Sequence, residues 1–254
     1  MAEADLPERA AGWFLRTARL RAVEAIEGDG WVAVFDPAHP RSHDGNRILL
    51  TRDVQDPIAL LDRTFRDRDL KHRALACYGQ FAGANSIALL NAGFVRQEMV
   101  LMTASPADLP RGATTAAEAD ETTVSEFAAR IWHAEAPDLP GDVVAQLVDR
   151  RNRLDLAGQI HRLAITLDER IVASTDVCVR DDMAEIDGVA VDAEYRGRGL
   201  GNELLVAAGD VARAAGVSLV VLEALTNDWP RTWYANHGFT DVGFSQGFVQ
   251  DSNQ

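Results

Sequence analysis

Six consecutive residues, Arg196-Gly197-Arg198-Gly199-Leu200-Gly201, have the side chains and spacing needed to hold a phosphate. A glycine lacks Cβ, so its backbone N–H can approach an anion closely, and a helix starting just after the turn adds partial positive charge. Arg196 and Arg198 place full charges between the glycines, which a turn that only reverses the chain would not need. The construction suits a pyrophosphate. A Rossmann fingerprint would need G-x-G-x-x-G, and the third glycine is misplaced here because Asn202 follows Gly201. A P-loop would end in G-K-[ST], where this chain has Gly201-Asn202-Glu203. Neither nucleotide motif fits.

The elements that must position these residues can be read on both sides. A strand is expected over 183–191 and a helix over 200–215. Leu200, Leu204, Ala208, Val211 and Ala215 form one apolar stripe on that helix, and Gly216 is placed to end it. Residues 217–222 are almost entirely apolar, as a strand covered on both faces should be. Segments 160–167 and 170–179 read as a hairpin around Asp168-Glu169. On that strand, Glu185 and Asp187 are two apart and are expected on one face.

Earlier in the chain, 31–35 and 47–51 read as strands and 57–65 as a helix opening on Pro57. Residues 104–112 carry two prolines and a glycine and read as a linker between halves 1–105 and 112–254. Alternating strands and helices in each half predict a mixed α/β fold, an α+β mixed sheet. Asn91-Ala-Gly-Phe94 echoes Asn236-His-Gly-Phe239 near the end of each half, as a duplicated fold would.

Residues 186–205 resemble the acyl-CoA loop of the GNAT superfamily of N-acetyltransferases, whose pattern [QR]-x-x-G-x-[GA] is met by Arg196, Gly199 and Gly201. Val189-Ala190-Val191 is similar to the strand end whose backbone pairs with the pantetheine arm in that family. Asn227, Tyr234, Gly238 and Phe239 take the places of its second signature. The resemblance implies a GNAT-like fold for 112–254 and acetyl-CoA as acyl donor. It also implies a cofactor-binding set of Val189, Ala190, Val191, Arg196, Gly197, Arg198, Gly199, Leu200, Gly201, Asn202, Asn227 and Tyr234. Aligned on the repeat, Leu89 stands opposite Tyr234, and the first half contains no R-x-x-G-x-G. That half is therefore expected to be a degenerate, non-catalytic copy, which leaves one active site per chain.

Acyl transfer to an amine needs a neutral nucleophile and a proton for the departing thiolate. Tyr234 is the expected general acid, because a phenol near pKa 10 can protonate a thiolate of similar basicity. Glu185, Asp187 and Glu223 are the candidate bases, acting directly, through water, or only by binding a cationic substrate. The expected function is N-acetyl transfer to a primary amine of a small molecule or peptide, by direct attack in a ternary complex. The alternative is a non-catalytic acyl-CoA-binding regulatory module.

Composition narrows the field further. Over 254 residues the net charge is −14, with a pI near 4.8, which disfavours a nucleic-acid partner and agrees with a cationic amine. Cys77 and Cys178 lack disulfide or metal spacing and predict buried, reduced thiols. The first residues lack the apolar core of a secretory signal, and no run of 18 apolar residues occurs, so a cytoplasmic, non-membrane protein is expected, monomer or homodimer, with no metal. His39 and His43 lie among Pro37, Pro40, Asp36 and Asp44 in what reads as a solvated loop. Gly243-Phe-Ser-Gln-Gly247 matches a serine-hydrolase elbow, but all six histidines precede Ser245, against that fold's order.

Overall fold

Trp31–Phe35 is apolar throughout, and a strand of that kind must be covered on both faces. In the computed structural model, which describes residues 5–79 and 82–251, it is β2, flanked by two antiparallel neighbours, β1 (Glu24–Gly28) and β3 (Arg47–Leu50). The chain divides into two units. The first holds the described residues up to Leu101, together with Ala224–Arg231 and those from Val242 onward. The second holds Met102–Glu223 and Thr232–Asp241.

In the first unit, helix α1 (Leu6–Arg21) buries Ala10, Trp13, Phe14 and Thr17 on one stripe. Arginines dilute that stripe in the sequence, so the sequence reading does not anticipate the helix. Helix α2 (Pro57–Phe65) links β3 to β4 (His72–Tyr78), which runs parallel to it. Helix α3 (Ala82–Asn91) leads to β5 (Val95–Ala104). The last strand of the chain, β11 (Thr240–Asp251), pairs antiparallel with β4 from Ser245↔Tyr78 to Asp251↔His72. This unit's strand order is β1-β2-β3-β4-β11-β5. Phe35, Ile48, Leu61, Leu75, Leu89 and Phe248 form the heart of its core.

The expected solvated loop between β2 and β3 is instead folded inward. Asp36, His39, Ser42 and Asn46 are all buried. His39 Nδ1 lies 2.7 Å from Asp36 Oδ2, and the Asn46 amide donates to the His39 and Ser42 carbonyls. Internal hydrogen bonds replace water for these polar groups, which local composition cannot reveal. The Gly243–Gly247 match lies within β11 with Ser245 buried, so it forms no strand-to-helix elbow.

The second unit opens with β6 (Ala117–Glu118), α4 (Glu121–Glu135) and α5 (Gly141–Asn152). The hairpin of β7 (Gln159–Leu167) and β8 (Arg170–Arg180) turns at Asp168 and Glu169, both at positive φ. Strand β9 (Met183–Val191) pairs antiparallel with β8. Helix α6 (Leu200–Ala214) then leads to β10 (Leu219–Leu225), parallel to β9, and α7 (Trp229–Ala235) follows. The strand order is β10-β9-β8-β7-β6. Strand β10 starts two residues later than its apolar run, because Val217 N–H returns to Ala212 O and Ser218 N–H to Asp182 O. The segment expected as a linker is docked on this unit: Leu109 is buried, and Arg213 donates to Pro106 O and Pro110 O.

Along the chain one order of elements occurs twice, strand, helix, parallel strand, helix, strand: first β3 to β5, then β9 to β11. The helix-ending turns match in detail. Phe94 N–H bonds to Leu89 O at 3.1 Å and Phe239 N–H to Tyr234 O at 3.2 Å, with Gly93 and Gly238 at φ +85 and +94. At Gly238 a Cβ would stand 2.5 Å from the Asp108 carbonyl oxygen. Gly238→Ala should therefore destabilise the protein by about 2 kcal/mol through the left-handed backbone and this clash. For a chain of this size that lowers the Tm by about 4–8 °C, measurable by circular dichroism.

Candidate active site

Parallel pairing of β9 with β10 runs from Met183↔Leu219 to Glu185↔Val221 and goes no further. Beyond it, β9 takes an extra residue against β8: Asp176 faces Asp187, but Ser174 faces Ala190. Gly188, at φ +64, lies in this bulge, and the buried Thr175 hydroxyl donates to the Asp187 carbonyl at 2.9 Å. A bulge bends its strand and re-aims the side chains around it. Val189, Ala190 and Val191 follow it and are half-buried.

The turn after β9 ends at Gly199, which caps α6 at φ +84 with no side-chain hydrogen bond. Gly197 is also left-handed, and open space lies where a Cβ would stand at either glycine. Glu203, the acid of the first turn, is drawn off to the Thr115 N–H and hydroxyl. Among the described residues no side chain therefore caps this helix end. The matching turn of the first unit differs. There Asp56 caps α2 by accepting from Ala59 N–H, and Pro57 removes a further donor. An internal carboxylate thus caps this helix.

The two arginines of the turn are already engaged. Arg196 Nε donates to Val191 O at 3.0 Å, and its Nη2 meets Glu135 Oε1 at 2.6 Å. Arg198 lies over the Tyr195 ring and donates to Glu194 O. Leu200 is buried, while Gly201 and Asn202 serve packing. A Cβ on Gly201 would meet the Trp233 ring at 3.2 Å, and Asn202 Oδ1 accepts from Trp233 Nε1. Trp233 in turn stacks near Tyr234 and His237. It ties the helix behind the glycine turn to the helix carrying Tyr234, a role that only its neighbouring tyrosine hinted at in the sequence.

Tyr234 is buried, with its ring edge-on to Phe239. Burial pushes its phenol above the ordinary value, and the Asp187 carboxylate adds to the shift. Glu185 is buried, Asp187 exposed and Glu223 half-buried. Asn227 is exposed in the Ala224–Arg231 segment, which belongs to the first unit. The sequence reading missed Asp176, buried opposite Asp187 with Arg151 Nε 2.5 Å from its Oδ2. A charged residue inside the apolar run of β8 was the available signal.

Residues 159–241 match the acetyltransferase (GNAT) domain. That segment is about a third of the chain. A glucosamine 6-phosphate N-acetyltransferase of Trypanosoma brucei brucei is 28% identical over 128 residues, covering 47% of this chain and 84% of that protein. The solved GCN5-related N-acetyltransferase from Kribbella flavida is 16% identical with a TM-score of 0.66, over 98% of this chain and 96% of its own. A tandem GNAT protein from the clavulanic acid biosynthesis pathway is 15% identical with a TM-score of 0.54, over 100% and 98%. At those identities the solved structures speak for the fold, a mixed α/β GNAT fold. The GNAT domain makes the chain an acyl-CoA-dependent acetyltransferase.

The Tyr234 shift has a measurable consequence. In the unfolded chain the phenol releases its proton near pH 10, whereas in the folded protein it holds it to higher pH, so its contribution to stability is present below pH 10 and is lost as pH rises beyond. Absorbance titration at 295 nm should show Tyr234 still protonated above pH 10. A wild-type step near pH 10 that shrinks by one tyrosine in Tyr234→Phe would contradict this.

Proposed function

We propose that this chain is a cytoplasmic N-acetyltransferase that moves an acetyl group from acetyl-CoA to a primary amine by direct attack in a ternary complex. The observation that carries the reading is the uncapped N-terminus of α6 behind Gly199, next to a strand that has parted from its parallel neighbour. The N–H groups of the 197–202 turn would take the pyrophosphate, and the parted backbone at Val189–Val191 would pair with the amides of the pantetheine arm, as an added strand pairs with a sheet edge. Arg198, which donates to a carbonyl and lies over a ring face, would supply a cation. Arg196 would join it on releasing Glu135. The buried thiols of Cys77 and Cys178 support the reducing compartment.

In the chemical step the neutral amine adds to the thioester carbonyl. As the tetrahedral adduct collapses, the C–S bond breaks and Tyr234 gives its proton to the leaving thiolate. Burial keeps the phenol protonated across the working range, although it makes that proton harder to give than an ordinary phenol's. Asp187, exposed and close enough to act on Tyr234, is the first candidate to take the proton of the amine. Glu185 and Glu223 are the others.

The first half, 1–105, would be a GNAT-like copy without a donor site, and 112–254 the catalytic domain. The repeated element order and the paired Leu89 and Tyr234 turns support the duplication. The Asp56 cap supports the loss of the site.

Thiol release from acetyl-CoA should depend on an added amine. Tyr234→Phe should lower kcat at least tenfold with little change in acetyl-CoA affinity. Gly199→Asp, with a negative charge at the helix mouth, should abolish that affinity while the circular dichroism stays native. Tight acetyl-CoA binding without thiol release across a broad amine panel would make the chain a binding module instead.

A further inference from the structure

The chain from Pro106 to Thr115 is strapped along helix α6. Near the end of the helix Arg213 donates to the carbonyls of Pro106 and Pro110. At its start the strap reaches Glu203. The Thr115 N–H and hydroxyl donate to Glu203 Oε2 at 2.9 and 2.8 Å, and the Thr114 hydroxyl donates to the Glu203 carbonyl at 3.0 Å. Beyond Thr115, Ala117 is already paired with Ala164 in the β6–β7 ladder. Thr115 is therefore fixed from both sides, and Glu203 takes its position from the strap.

Left to itself, Glu203 would lie elsewhere. Side chains on a helix lean back toward its N-terminus, where the unpaired N–H groups and the helix dipole attract a carboxylate. Gly199 has no side chain with which to cap α6, and Asn202, the neighbour of Glu203, has its Oδ1 occupied by Trp233 Nε1. A released Glu203 carboxylate would be drawn to the helix end, and a phosphate would meet a like charge there. In the first unit an acid does close the helix, since Asp56 accepts from Ala59 N–H at the start of α2. The two helix mouths thus differ in where one carboxylate is tied. Thr115 itself is exposed, so removing its hydroxyl leaves the core untouched.

We propose that Thr115 is a positioning residue for the acyl donor: by holding Glu203 aside, it keeps the mouth of α6 free for the pyrophosphate of acetyl-CoA. This rests on the acetyl-transfer reading above and adds to it a residue outside the glycine turn, one that acts only through Glu203. A first-turn acid, which stabilises a helix, thereby becomes compatible with an anionic ligand at the same helix end.

Calorimetry on the full chain tests this with acetyl-CoA, with acetyl-pantetheine, which lacks the pyrophosphate, and with inorganic pyrophosphate. Thr115→Val should weaken the binding of acetyl-CoA and pyrophosphate about tenfold, as one misplaced charge at a helix end can, and should leave acetyl-pantetheine unaffected. Thr115→Ser, which keeps the hydroxyl, should bind like the wild type. Adding Glu203→Gln to Thr115→Val removes the displaced charge and should restore most of the acetyl-CoA affinity. The loss in Thr115→Val should also shrink as salt rises, because it comes from repulsion between charges near the surface. Unchanged acetyl-CoA affinity in Thr115→Val would overturn the proposal. So would an equal loss for acetyl-pantetheine, or no recovery on adding Glu203→Gln, each the mark of a purely structural strap. If the wild type binds no acetyl-CoA, the acetyl-transfer reading fails by itself and pyrophosphate decides the rest. Pyrophosphate binding that Thr115→Val weakens would sustain the role of Thr115, and no binding would overturn it.

Discussion

Strands β9 and β10 stay paired only as far as Glu185 and Val221, and the layout of the second unit around the glycine turn follows from that short pairing. A parallel ladder that continued would consume the backbone groups of 186–191. The extra residue at the Gly188 bulge prevents it by bending β9, while the Thr175 hydroxyl satisfies the Asp187 carbonyl inside the sheet. The strand thus leaves the sheet without burying an unpaired polar group, and it delivers the chain to the glycine turn with α6 directly behind.

Around this parting, neighbouring residues divide the work. Glycines at 197 and 199 keep the helix mouth open, whereas Gly201 keeps α6 close enough for Trp233 to pack and for Asn202 to hold its indole. Trp233 then sets the position of Tyr234, whose burial keeps the phenol protonated. One short motif therefore combines an open turn with the docking of a second helix. The first unit shows how little is needed to close such a mouth, since Asp56 and Pro57 suffice.

Acidic groups on the sheet face are not equivalent, although the sequence presents them alike. Glu185 is buried, Asp187 exposed, and Asp176 is buried against Arg151 with one oxygen unpartnered. Their different environments set these carboxylates apart, as burial and neighbouring charges do. The charge of −14 over the chain says only that a cationic acceptor is attracted.

Within the sequence alone, the order and type of most elements were legible, because apolar periodicity and turn glycines act over a few residues: 31–35, 57–65 and 183–191 match β2, α2 and β9 at both ends. The glycine turn and its family were legible for the same local reason. Helix α1 was not, its apolar stripe being broken by arginines, nor was the inward folding of His39, which depends on Asn46 seven residues away. Tertiary structure alone decided that β11 pairs with β4, that Trp233 meets Gly201, and that Arg151 meets Asp176. Each of these joins residues at least 25 positions apart, through burial and hydrogen bonding that no local pattern records.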